Sequence, residues 1–157
     1  MEGPTHRYME SSPGCWSVYG EVLAREYSDR AYAAAHRPTV DAFAVQHPGQ
    51  PAAQSIQSAG VHLVRLCLIL ENGFSDAAAG NAMEVIASRK AMLRWLAPPR
   101  SMGSITAVDV WRASGANEHV KAVCDWAHSA GQAWAEHHEQ VRNWVPPEFA
   151  ARTRTGQ

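Results

Sequence analysis

From Val120 to Trp144 an apolar or aromatic residue recurs at alternating steps of three and four: Val120, Val123, Ala127, Ala130, Trp134, Val141 and Trp144, with His137 filling the one remaining step. This spacing gathers side chains on one face of an α-helix and scatters them over both faces of a strand. It predicts a long C-terminal helix from Glu118 to about Trp144. Asn117 caps it, and Pro146-Pro147 cannot continue it. Such a stripe is stable only when other elements cover it.

The rest of the chain supplies those elements. Ser12-Pro13 reads as an N-cap followed by a first helical residue, and Trp16, Tyr19, Val22 and Tyr27 give the next helix, about Gly14 to Tyr27, an apolar face. A short helix is expected from Ser28-Asp29 to about His36, with Pro38 breaking or kinking it. Another runs from Thr39 or Val40 to Gln46 or His47 and ends at Pro48-Gly49. Pro51 can open the following helix, whose seam is Ile56, Ala59, Leu63, Leu66 and Leu70. Val61, Val64, Leu68 and Ile69 make it apolar on most other sides, as in a central helix, and Asn72-Gly73 stops it. Asn81 to Leu96 makes a further helix, and Ala97–Ser104 is a loop. Thr106-x-x-Asp109 fits a capping box before a short helix, Ala107–Ala113, although Ile105–Trp111 also alternates like a strand. The sum is an all-α, single-domain chain over residues 1–157. It is expected to be a compact bundle of five or six helices, with 1–12 as an extended arm and 148–157 as a flexible tail.

Charge and cysteine content narrow the function classes. The formal net charge is −1, with Lys and Arg scattered, so neither nucleic acid nor an anionic membrane is an expected partner. Met1 to Ser12 has no apolar signal region. The run Val61–Leu70 is too short to span a bilayer and carries Arg65. Three cysteines, far apart and without Cys-x-x-Cys, suit a reducing cytoplasm.

Several polar residues interrupt the apolar faces, and burying them is costly unless something binds them. Val40, Phe43, Ala44 and His47 share one helix face, which therefore ends in an imidazole. His62 lies inside Val61–Leu70. His137 sits on the C-terminal stripe, with His138 beside it. Each has an ordinary structural reading. His47 suits the last turn of a helix; Ser58, His62 and Arg65 form a narrow stripe that solvent can wet; a buried imidazole can bond a backbone carbonyl. A metal ion accounts for several of them together. If the Ser58 stripe points inward, Arg65 needs a carboxylate, and Asp41 and Glu84 are candidates. Ser58 can then hold one nitrogen of His62 and leave the other for a metal. Cys15, in the first turn of a helix, is a candidate thiolate or ligand, or else a small apolar contact. Cys67 reads as inert core, and the Cys124–His128 pair lies off the apolar stripe. Asp41 can orient a ligating histidine from behind. The chain has no His-Glu-x-x-His, Gly-x-Ser-x-Gly, P-loop or dinucleotide motif.

Ser12-Pro13-Gly14-Cys15-Trp16, Thr39-Val40-Asp41-Ala42-Phe43-Ala44-Val45-Gln46-His47-Pro48-Gly49, Val61-His62-Leu63, Trp126-Ala127 and Trp134-x-x-His137-His138 resemble a family of uncharacterised bacterial proteins known only as a domain of unknown function. The resemblance covers most of residues 6–145 and is most specific from Asp41 to Gly49. Phe43 departs from it, standing where the family pattern has tyrosine. The resemblance brings no reaction, but it implies that Cys15, Asp41, Gln46, His47 and His62 belong together.

These residues support three readings. The first is a small cytoplasmic protein holding a divalent metal, zinc foremost, through Cys15, His47, His62 and His137 or His138, with Asp41 behind. Metal-dependent hydrolysis of a small molecule is then the default chemistry. The second is a metal-free thiol enzyme with Cys15 as nucleophile, His47 or His62 as base and Asp41 as orienter. The third is a non-enzymatic binding module or homodimer using a tryptophan-rich surface, since six tryptophans need covering.

Overall fold

The structure, a computed structural model, describes residues 3–150. All regular elements among them are helical: α1 Pro13–Ser28, α2 His36–Gln46, α3 Ala53–Leu70, α4 Asp76–Ala87, α5 Ala107–Trp111, α6 Gly115–Ala133, α7 His138–Trp144 and α8 Pro147–Ala150. A six-residue 3-10 helix, Arg30–Ala35, precedes α2, and single 3-10 turns follow α4 and join α6 to α7. The all-α expectation holds. The count is eight rather than five or six, because α5 and α8 are pieces of five and four residues and the C-terminal stripe is split.

The local signals explain most starts. Ser12 Oγ accepts from the Cys15 amide at 3.1 Å and Pro13 opens α1. The capping box at Thr106 and Asp109 is formed, and α5 follows it instead of a strand. Pro38 does not break a helix. It lies in the first turn of α2, where a missing N–H costs nothing, so α2 begins at His36 rather than at Thr39 or Val40. The helix expected over Asn81–Leu96 is shifted: α4 starts at Asp76 on a Ser75 cap and ends at Ala87. Likewise α6 begins at Gly115, so Asn117 lies inside its first turn.

The expected continuous helix from Glu118 to Trp144 is corrected. It stops at Trp134, where the indole is buried and donates from Nε1 to the Val45 carbonyl at 3.0 Å. His138 Nε2 then donates to the Gly131 carbonyl at 2.9 Å, beside the Trp134 amide that bonds the same oxygen, and so caps α6 with a side chain. The apolar phase continues across this break, so Val141 and Trp144 of α7 still face the core.

One core joins all the larger helices, with Phe43, Val45, Val64, Leu68, Val123, Trp126 and Trp134 fully buried. α2 is central, packed on both α3 and α6, while α1 covers α5 and α2. α3 is the one helix among the described residues long and apolar enough to cross a bilayer, and half of that window is buried inside the protein. Residues 3–12 form no helix and cross the turn after α2. Gly49 has φ +75°, and a Cβ there would strike the Tyr8 carbonyl, so this close crossing requires glycine. Of the expected tail 148–157, residues 148–150 belong to α8 and 151–157 lie outside the described residues.

Candidate functional site

The inward edge of α2 carries Asp41, whose side chain is 2 % exposed. Its two oxygens have separate partners on α3. Oδ1 accepts from His62 Nδ1 at 2.8 Å, and Oδ2 pairs with the Arg65 guanidinium. A second nitrogen of Arg65 reaches Asp76 in the first turn of α4. Spacing makes this possible: residues 62 and 65 are three apart on α3 and so meet the same neighbour. A buried carboxylate is tolerated when its charge and lone pairs are met in this way. Asp41, rather than Ser58 or Glu84, is therefore the partner of both His62 and Arg65.

With Nδ1 donating to Asp41, it is the other nitrogen that carries the lone pair whenever the His62 ring is neutral. That Nε2 has no hydrogen-bond partner among the described residues. The side chain is 21 % exposed and lines a groove of about 920 Å³ between α2, α3 and α4. Its polar lining includes His36, Arg65, Asn81 and Glu84. The geometry offers an imidazole fixed from behind by a carboxylate and open in front, which suits proton transfer or coordination.

The other candidates from the sequence lie apart from this pair. His47 ends α2; its Nδ1 donates to the Phe43 carbonyl at 2.9 Å and its ring lies tilted against Phe43, with centroids 4.1 Å apart. Burial pulls its pKa down, partly offset by that carbonyl. Phe43 is fully buried and stacks on Tyr19 at 3.8 Å. Gln46 points toward α6, donating to the Met102 and Ile105 carbonyls, both at 2.8 Å, and accepting from Trp126 Nε1 at 2.7 Å. It fastens the loop before α5 to the core. Cys15 is exposed on α1. His137 Nε2 donates to the Ala97 carbonyl at 2.8 Å, and His138 caps α6. Both imidazoles thus have the backbone partners of their ordinary structural reading. Among the described residues no three or more His, Cys, Asp or Glu side chains are grouped so as to hold a metal ion. Of the tryptophans, Trp126, Trp134 and Trp144 are buried, and Trp111, 43 % exposed, donates to Glu21.

Sequence reasoning missed a second buried carboxylate. Glu26 of α1 is fully enclosed and accepts from Thr39 Oγ1 at 2.5 Å, His119 Nε2 at 2.9 Å and His36 Nδ1 at 3.2 Å. His119 Nδ1 faces an Arg25 nitrogen at 3.3 Å. Because arginine only donates, that nitrogen accepts, and Nε2 carries the proton given to Glu26. Two signals were available. Tyr19, Val22 and Glu26 lie at i, i+3 and i+7 on α1, and His119 precedes Val123 and Trp126 on the buried face of α6.

A further cavity of about 570 Å³ lies between α3, α6 and α7, walled by Leu66, Leu70 and Val141 and rimmed by Glu71, His138 and Arg142. Cys67 opens into it, with its thiol pushed up to about 12 by burial and by the Glu71 carboxylate.

The chain matches a family of unknown function, DUF5946, over residues 3–135. It belongs to that family. The DUF5946 match takes in Cys15, Glu26, His36, Asp41, His47, His62, Arg65 and His119, and stops before His137. Comparison with curated proteins and with solved structures returned no match.

Proposed function

We propose that this DUF5946 protein is a small-molecule-binding acid–base protein, and that its working group is His62, held by Asp41 on the groove between α2, α3 and α4. The supporting observation is the 2.8 Å contact of Asp41 Oδ1 with His62 Nδ1, made by a carboxylate already anchored to Arg65. This arrangement fixes the imidazole tautomer and turns its lone pair to the groove. Three free cysteines fit a reducing, cytoplasmic setting.

Ligand-observed NMR with a metabolite library tests the reading without knowing the substrate. Compounds are expected to bind wild type and to lose binding in His62→Ala at unchanged circular dichroism. Hits that bind His62→Ala equally well contradict it.

A divalent metal, zinc foremost, is the second reading. It is favoured by the same carboxylate behind the same imidazole, the usual support of a ligating histidine. His62 Nε2 would be one ligand, and a conformational change would have to bring others to it. Stoichiometric metal by ICP-MS on protein purified without a nickel column, lost in His62→Ala, supports this version. Wild-type protein without metal, and unmoved in melting temperature by zinc, removes it.

A further inference from the structure

The groove that takes His62 also takes His36, from the first turn of α2. The two imidazoles are built alike. His36 Nδ1 meets Glu26 Oε2 at 3.2 Å, as His62 Nδ1 meets Asp41, and both carboxylates are buried. The His36 side chain is 26 % exposed against 0 % for Glu26, so the ring spans from interior to groove. Its Nε2 is 2.9 Å from the Tyr27 hydroxyl, on a residue that is 75 % exposed and that a ligand oxygen can displace.

The two carboxylates differ in what else they hold. Asp41 has the Arg65 guanidinium. Among the described residues Glu26 has no arginine or lysine partner; its other partners are the Thr39 hydroxyl and the His119 ring. A proton on His36 therefore completes an ion pair at Glu26, whereas at Asp41 the cation is already in place. Among the described residues no Cys, Ser, Thr or Lys lines the groove, which leaves the two imidazoles, the carboxylates of Asp41 and Glu84 and the Tyr27 hydroxyl as its reactive side chains.

We propose that His36 is the groove's proton donor, positioned by Glu26 and acting with His62 as acceptor on an oxygen ester. This rests on the assignment of His62 above. Water gives one proton to His62 Nε2 while its oxygen bonds to the acyl carbon. The bond from that carbon to the alkoxy oxygen breaks, and the departing oxygen takes the proton from His36 Nε2. The products are a carboxylic acid and an alcohol, and exchange of one proton each with solvent resets the two rings.

Two acetate esters separate the roles. p-Nitrophenolate leaves without a proton, whereas phenolate leaves more readily with one. His62→Gln is expected to lose hydrolysis of both esters. His36→Gln and Glu26→Gln are expected to lose phenyl acetate hydrolysis by roughly 100-fold, the usual scale of general acid catalysis, and to keep the p-nitrophenyl acetate rate. If Glu26→Gln does not fold, His36→Gln decides alone, since that ring is partly exposed. Equal loss of both esters in His36→Gln, or loss of neither, removes His36 as donor and leaves His62 standing. A wild-type rate no higher than that of free imidazole overturns the proposal. Unchanged rates in His62→Gln overturn it together with the reading on which it rests.

Discussion

An acid, a histidine and an arginine meet on each of two sides of α3, and the two sets behave differently. Toward α2 and α4, Asp41, His62 and Arg65 meet with the carboxylate 2 % and the guanidinium 6 % exposed. Toward α7, Glu71, His138 and Arg142 meet with Glu71 32 % and Arg142 55 % exposed. Arg142 Nε donates to Glu71 at 2.7 Å, and this bond, foremost among its neighbours, draws the Glu71 pKa down. The residue types match, but burial decides their meaning. The wet set is a surface ion pair beside a cavity, and its histidine is spent on capping α6. The dry set fixes an imidazole whose second nitrogen has no hydrogen-bond partner among the described residues.

Removing an arginine from each side separates them most sharply. Arg65→Met leaves Asp41 buried with no arginine and is expected to cost about 3–5 kcal/mol in urea unfolding. A cost under about 1 kcal/mol, the range of an exposed pair, would erase the distinction. Next comes thiol reactivity. With its pKa moved from 9.0 to about 12, Cys67 has a roughly thousandfold smaller thiolate fraction at neutral pH and should resist iodoacetamide, while exposed Cys15 and Cys124 are labelled. Mass spectrometry after partial alkylation reads this, and equal labelling would mean that the cavity beside α7 is as wet as the surface. On the wet side, Arg142→Met should change stability by no more than about 1 kcal/mol. The smallest effect is the pH response at the end of α2. Burial holds the His47 pKa below 6.5 in the folded protein, so the unfolded chain takes up that proton first on acidification. His47 therefore favours the fold above pH 6.5, and this contribution is lost as pH falls from 6.5 through the folded value. Urea midpoints at pH 7.5 and about 5.5 should differ less in His47→Gln than in wild type; an equal difference would show that His47 is no more buried than the residues of the wet set.

The dry set was partly legible in the sequence because it interrupts apolar runs. His62 and Arg65 stand within the most apolar stretch of the chain, and Asp41 was one of two carboxylates in reach. Their junction was not legible, since it depends on how α2 crosses α3. Glu26 escaped because a single glutamate on a helix rich in exposed polar residues carries no motif; only its phase with Tyr19 and Val22 marks it. The Trp134 break escaped for the opposite reason. The three-four pattern runs through it without a fault, and the cause is a tertiary bond from the indole to Val45. His137 on the stripe and His138 beside it read as candidate ligands, and in the structure each bonds a backbone carbonyl, that of Ala97 and that of Gly131.

A long-range 1H–15N correlation spectrum of the histidine rings, assigned with His62→Gln, goes straight to the pair on α2 and α3. His62 should carry its proton on Nδ1, with Nε2 bare, and should lose that single tautomer in Asp41→Asn while the other rings keep theirs. A proton on Nε2 in wild type, or a His62 signal indifferent to Asp41→Asn, would mean that Asp41 does not hold this imidazole toward the groove.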